Sequence, residues 1–249
     1  MCLIVVGWRV HPDYPLIVAA NRDEFHARPS AVAGHWPDAA EIIGGRDLEA
    51  GGTWLGMTVT GRFAAITNVR EPGMARGSVS RGALTSEFLR SDTTAIEYAR
   101  KIDGALYSGF NLLLSDGETL TYASNRDGEA RTLAPGVYGL SNHLLDTPWH
   151  KLIQARQAFS NAMQHLPDDA AFFDLLADRS LAPDELLPKT GVSLDWERLL
   201  SAVFVQSATY GTRCSTLAWV SKAGSVRLHE RSFAPDGSLV QSSLISTSE

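Results

Sequence analysis

The chain has 249 residues, 44% hydrophobic and 20% charged, with 22 Lys and Arg against 28 Asp and Glu for a net charge of -6. These are ordinary values for a globular protein of one large domain or two small ones. The absence of a basic run gives no reason to expect a nucleic-acid partner or a polybasic membrane contact. Two isolated cysteines, Cys2 and Cys214, do not make a disulfide framework.

The stretch Cys2 to Val6 is short, apolar and β-branched and predicts a buried strand continuing to Trp8. It is too short for a signal h-region, no basic n-region precedes it, and no apolar stretch nears the roughly 18 residues of a spanning helix. A cytoplasmic protein without stable membrane insertion is therefore expected. His11-Pro12-Asp13-Tyr14-Pro15 reads as a turn and Leu16 to Ala20 as a second strand, so a hairpin opens the fold. Asn21-Arg22-Asp23-Glu24 follows at that strand's end, a solvated turn or a site. Gly44-Gly45 and Gly51-Gly52 bracket a loop. Strands are predicted at Thr53 to Thr60 and Phe63 to Asn68, and Arg70 to Arg81 reads as a mobile surface loop.

Helices are expected over Leu84 to Arg90 and Ala95 to Ile102, the second with Thr94 and Glu97 at capping-box spacing. Strands return at Phe110 to Leu114, Leu120 to Ala123 and Val137 to Leu140, with Asp116-Gly117 and Asp127-Gly128 at turns. Trp149 to Met163 has helical periodicity with Pro148 suited to its first turn, and Ala170 to Ala177 and Trp196 to Val203 read as helices. Thr216 to Val220 and Val226 to Glu230 are strands, and Ser246 to Glu249 reads as frayed. Strands, helices and strands again, without βαβ alternation, a repeat or a linker, predict a single α+β domain with layered sheets.

Cys2 is the residue that most constrains function. Removal of Met1, expected before a residue as small as Cys, would leave a thiol and a free α-amino group on one carbon. An α-amino pKa of roughly 7.7–8.0 suits a base near neutral pH, so one residue would supply nucleophile and base. Read alone, Cys2 is equally the first buried residue of a strand. An arginine near Cys2 would favour the thiolate, and Asn68 and Asn142 have the neutral donors that stabilise an oxyanion. Asp23 or Glu24 would hold the α-amino group by a charge-assisted hydrogen bond, since the hairpin brings the end of the second strand near the start of the first. Plain structural readings stand beside these. Asn21 and Asp23 suit an Asx-type turn, Asn142 an ordinary turn before a helix, and Arg213, after Tyr210-Gly211-Thr212, a surface ion pair. Cys214 reads as structural and Trp54 as a packed side chain of a glycine-shaped loop. The seven histidines show no metal spacing, so no metal is expected. His35, His143 and His150 remain candidates for a single axial ligand.

The ordered motifs carry a family resemblance. They are Met1-Cys2, Asn21-Arg22-Asp23-Glu24-Phe25 with Arg28-Pro29, and Gly51-Gly52-Thr53-Trp54-Leu55-Gly56. Ala64-Ala65-Ile66-Thr67-Asn68, Gly109-Phe110-Asn111, Tyr138-Gly139-Leu140-Ser141-Asn142, Thr147-Pro148-Trp149 and Tyr210-Gly211-Thr212-Arg213 follow. Together they resemble the NRDE family, which includes the transport and Golgi organisation proteins of animals, nearly end to end. That family resembles the N-terminal-nucleophile (Ntn) hydrolases, most closely the branch of bile-salt hydrolases and penicillin acylases. The resemblance implies a four-layer αββα fold and a site of Cys2, Arg22, Asp23, Asn68, Asn142 and Arg213, supported by Asn21, Glu24 and Trp54. The branch places its Arg and Asp three apart, whereas Arg22 and Asp23 adjoin, and a shifted pairing brings in Asn21 and Glu24. The implied activity is hydrolysis or acyl transfer at an amide or acyl thioester of a small-molecule or acyl substrate, without a cofactor. The alternative implied by the family is non-catalytic binding and trafficking of haem, acyl-coenzyme A or lipid.

Overall fold

The computed structural model describes residues 2–247. The opening hairpin is β1 (Cys2–Trp8) and β2 (Leu16–Phe25). Leu3 and Val5 face one side of it and Ile4 and Val6 the other, and all four are buried. A strand packed on both faces must be apolar throughout, which is why Cys2 to Val6 carries no alternation. The expected strand and turn are therefore borne out, but β2 runs on through the tetrapeptide. Asn21 to Glu24 is strand, not a turn at the strand's end.

The next elements are β3 (Ser30–Trp36), β4 (Ala39–Asp47), β5 (Leu55–Thr58) and β6 (Phe63–Asn68). After the helices α1 (Gly82–Leu89) and α2 (Ala95–Arg100) come β7 (Phe110–Ser115), β8 (Leu120–Ser124), β9 (Arg131–Thr132) and β10 (Gly136–Leu140). Then follow α3 (His150–Ala162), α4 (Ala170–Leu176), α5 (Leu194–Leu199), β11 (Tyr210–Val220), β12 (Val226–Phe233) and β13 (Leu239–Ser246). One sheet has six strands in the order β10-β1-β2-β11-β12-β13, and the other seven in the order β3 to β9. All neighbours are antiparallel.

The sheets bury a common layer in which Ile4, Val6, Val18 and Ala20 meet Ile43, Met57, Phe63, Leu113 and Tyr122. On the outer face of the six-stranded sheet, Leu3, Val5, Ile17 and Ala19 pack on Leu152 and Phe159 of α3 and Phe172, Phe173 and Leu176 of α4. On the outer face of the other sheet, Ile42, Ala64, Ile66 and Leu112 pack on Leu84 and Phe88 of α1 and Ala95 and Ala99 of α2. The layers therefore run helix, sheet, sheet, helix. No helix among the described residues is long and apolar enough to cross a membrane.

Several local expectations are corrected. Gly44-Gly45 does not open a loop but lies inside β4. A Cβ on Gly45 would collide with the Trp54 ring, so glycine is there for close approach. β3, β4, β9 and β13 have no counterpart in the sequence reading. β3 is irregular, with register shifts after Ala31 and His35. The strand expected from Thr216 begins at Tyr210, which puts Arg213 within β11 rather than after a turn. It sits at a register shift between Thr212 and Cys214, a bulge that re-aims its side chain. The last helix is Leu194–Leu199, shorter and earlier than expected. Ser246 is not frayed but ends β13 opposite Arg227; Met1, Ser248 and Glu249 lie outside the described residues. The N-cap half of the expected capping box is present: Thr94 caps α2, and its hydroxyl accepts from the Glu97 N–H and donates to the Glu97 carboxylate at 2.8 Å.

Candidate active site

Residues of both sheets line a cleft of about 880 Å³, among them Cys2, Arg22, Asp23, Glu24, Trp54 and Asn68. The β1–β2 register explains why the first two meet. Cys2 stands directly opposite Arg22, and residues opposite in an antiparallel pair share a face. Cys2 is half-buried. Burial pushes its thiol above the usual value of 9.0, and the Asp23 carboxylate pushes in the same direction. Arg22 and a hydrogen bond from the Asp23 backbone N–H work toward the thiolate but are outweighed. Arg22 thus acts in the expected sense without deciding the outcome. Its guanidinium lies over the Trp54 ring at 4.1 Å and donates to Ser30 Oγ at 3.3 Å. Trp54 is the platform that fixes this cation in the cleft.

Asp23 is buried on the opposite face of β2 from Arg22. Thr212 Oγ1 donates to its Oδ1 at 2.7 Å, and Tyr210 OH donates to its backbone carbonyl at 3.0 Å. Burial raises its pKa, while nearby Lys151 opposes that. Lys151 is buried to 3% exposure, with its Nζ on the Ala202 carbonyl at 3.4 Å. Burial lowers its pKa to about 8 against the pull of Asp23. Arg70 completes the group: it is paired with Glu197 at 2.7 Å, both nearly sealed from solvent, and stacks on Trp149 at 4.8 Å.

Asn68 ends β6 at the cleft, and Asn142 lies fully buried behind it. Asn142 Nδ2 donates to Asn68 Oδ1 at 3.0 Å and to the Asn68 carbonyl at 3.2 Å. That occupies the oxygen of the Asn68 amide, while its Nδ2 donates one hydrogen to the Val69 carbonyl at 3.4 Å and keeps a second. Asn142 therefore orients Asn68 and does not line the cleft. Ser141 Oγ ties the same segment to the Cys2 carbonyl at 3.1 Å.

Other expected residues stand elsewhere. Asn21 faces the helical layer, donating to the Leu176 and Val203 carbonyls at 2.8 and 2.9 Å and accepting from Ser215 at 2.6 Å. It anchors β2 and does not reach the cleft. Arg213 Nη1 donates to the carbonyls of Phe25, His26 and Arg28 at 3.0–3.2 Å, clamping the chain after β2. Glu24 lines the cleft and accepts from its neighbour's N–H, Phe25, at 2.8 Å. Cys214 is buried behind Arg22, its thiol raised well above the usual range by burial. His35, His143 and His150 do not line the cleft. Among the described residues no group of three or more His, Cys, Asp or Glu is placed to hold a metal ion.

The sequence reading missed Arg70, Arg81, Lys151 and Tyr210. Arg70 and Arg81 fell in the stretch read as a mobile surface loop, yet both line the cleft, and Arg81 donates to the Gly109 carbonyl at 3.1 Å. Lys151 did leave a signal: it shares the buried face of α3 with Leu152, Ala155 and Phe159, a cation where helical spacing demands an apolar side chain.

A family model described as Transport and Golgi organisation 2 matches residues 1–235. The Transport and Golgi organization protein 2 homolog of Bos taurus is 40% identical over 93% of this chain and 93% of its own length. The Drosophila melanogaster protein of that name is 28% identical over 92% of this chain and 91% of its own. Among solved structures, the C2A mutant of conjugated bile acid hydrolase from Clostridium perfringens superposes with a TM-score of 0.53 at 10% identity. The match covers 98% of this chain and 92% of that one, and it bears out the layered Ntn-hydrolase fold.

Proposed function

The chain belongs to the Transport and Golgi organisation 2 family, and from that premise we propose that it is an Ntn-type cysteine hydrolase or acyltransferase acting on an amide or acyl thioester. The observation that carries this reading is the cross-strand pairing of Cys2 with Arg22 at the mouth of the inter-sheet cleft, with Asp23 one residue away. Loss of Met1 would put the α-amino group of Cys2 beside the Asp23 carboxylate, which holds it by a charge-assisted hydrogen bond. The amine takes the thiol proton as the sulfur attacks the carbonyl carbon. It later returns that proton to the departing amine or thiol, and water resolves the acyl-enzyme. The oxyanion is stabilised by the second hydrogen of the Asn68 Nδ2, the first being donated to the Val69 carbonyl at 3.4 Å. The raised thiol pKa supports a nucleophile that stays protonated until its base is unmasked.

The test is intact mass of the untagged protein before and after an amide- or thioester-based thiol probe, followed by a substrate screen with Cys2→Ala as control. A mass lacking Met1 and one adduct on Cys2, with turnover absent in Cys2→Ala, is the expected result. Turnover that persists unchanged in Cys2→Ala, or a processed Cys2 that stays inert to every probe, would overturn the proposal.

A further inference from the structure

A second cluster of reactive side chains lies on the outer face of the six-stranded sheet, away from the Cys2 cleft. His229 on β12 places Nδ1 2.6 Å from Asp169 Oδ2 and Nε2 2.8 Å from Ser242 Oγ on β13. Arg227 Nη2 donates to the same Asp169 oxygen at 2.7 Å, which holds the carboxylate in place. Asp169 precedes α4, and Phe173 of that helix meets the His229 ring edge-on at 4.8 Å. The imidazole is thus fixed from both sides, with side-chain exposures of 15% for His229 and 10% for Asp169. The tautomer that donates from Nδ1 to Asp169 leaves Nε2 to accept the Ser242 proton. A nucleophile within hydrogen-bond reach of a base, itself oriented by a carboxylate, is the arrangement that activates a serine on unrelated folds.

The register supplies a further element. His229 stands opposite Leu244 and Arg231 opposite Ser242, so Ser242 is the diagonal neighbour of His229 on one face, and Arg231 shares that face. The Arg231 guanidinium lies 3.8 Å from the Phe173 ring centroid, a cation held on the same sheet face as the serine. Ser242 is exposed on the edge strand. It also lies beyond residue 235, where the family match ends.

We propose that Ser242, His229 and Asp169 form a second nucleophilic site that hydrolyses small activated esters. Ser242 Oγ bonds to the ester carbonyl carbon while His229 Nε2 takes the hydroxyl proton, and the oxyanion develops beside Arg231. Collapse breaks the bond to the leaving alcohol, which takes the proton from His229. Water then attacks the acyl-serine, giving its proton to His229, and the carboxylic acid leaves as Ser242 is restored. Ser242 and His229 are the catalytic residues and Asp169 is a positioning residue. An open sheet face encloses no acyl chain, so the substrates are small acyl groups on good leaving groups, such as aryl acetates.

The test uses the full chain carrying Cys2→Ala, so that the thiol takes no reagent. A fluorophosphonate probe is expected to give one adduct, mapped to Ser242, and p-nitrophenyl acetate hydrolysis is expected to be lost in Ser242→Ala. His229→Ala should slow labelling at least ~100-fold, the scale of a lost general base. Asp169→Asn should flatten the rise of labelling with pH, and Asp169→Glu should restore part of it, a response that a purely structural carboxylate would not give. No adduct at Ser242, labelling as fast in His229→Ala, or unchanged aryl acetate hydrolysis in Ser242→Ala would each overturn the proposal. Because Ser242 is exposed, its alanine variant keeps the test decisive even where His229→Ala fails to fold.

Discussion

Cys2 is poised between opposing influences, and Asp23 is the side chain among them that raises its pKa. Its carboxylate raises the Cys2 thiol, so Asp23→Asn should lower that pKa and increase the thiolate fraction at neutral pH. Iodoacetamide labelling of Cys2 at pH 7 is therefore expected to accelerate in Asp23→Asn. Under the proposed chemistry turnover should fall in the same variant, because the α-amino group loses its anchor. Slower labelling, or faster labelling with faster turnover, would contradict these roles. The tetrapeptide was legible as special, but its division of labour was not. Strand alternation sends Arg22 to the cleft and Asn21 to the helical layer, and that assignment depends on β2 continuing past Ala20.

At the scale of elements, β2 is held by a polar anchor as well as apolar packing. Asn21 satisfies the carbonyl of Leu176 at the end of α4 and that of Val203. Asn21→Ala would strand two buried acceptors, each costing about 1–3 kcal/mol. An unfolding free energy from chemical denaturation lowered by at least about 2 kcal/mol is expected, and a loss below about 0.5 kcal/mol would mean that these bonds are replaced by solvent. The capping box of α2 offers a smaller and more local test. Thr94→Ala removes a hydroxyl that caps the helix and bonds Glu97, with an expected cost of about 1 kcal/mol in the same assay. That box was readable because it is local in sequence. β3 was not, because its partners and its register shifts arise from long-range pairing.

For the whole molecule, the buried ionisable group behind the cleft makes stability depend on pH. Lys151 has a folded-state pKa of about 8 against an ordinary value of 10.5. Between those values the unfolded chain binds more protons than the folded one, so stability rises with pH. Its contribution is fully present above about pH 10.5 and is lost as pH falls through about 8. The stability difference between the natural chain and Lys151→Met should therefore grow in favour of the natural chain from pH 8 to 10.5, by up to about 3 kcal/mol. Comparing the two isolates this group from Cys2, which titrates in the opposite sense in both. A difference that stays flat across the window would show that burial does not lower the Lys151 pKa.

What the sequence determined by itself was whatever is written in neighbouring residues. The unbroken apolar runs fixed the doubly packed strands, the Thr94–Glu97 spacing fixed a helix start, and the order of short motifs fixed the family and its layered fold. Cys2 and Asn68 could be named because each sits at a strand end, and Arg22 and Asp23 because polar residues there interrupt an apolar run. Only the tertiary structure decided which of the named residues meet. The pairing register put Cys2 opposite Arg22, strand alternation turned Asn21 away, and the β11 bulge sent Arg213 to clamp a turn. Ser242, His229 and Asp169 lie 73 positions apart at their extremes and have no common motif. Their proximity is a product of the β12–β13 register and the docking of α4, and no local pattern encodes it.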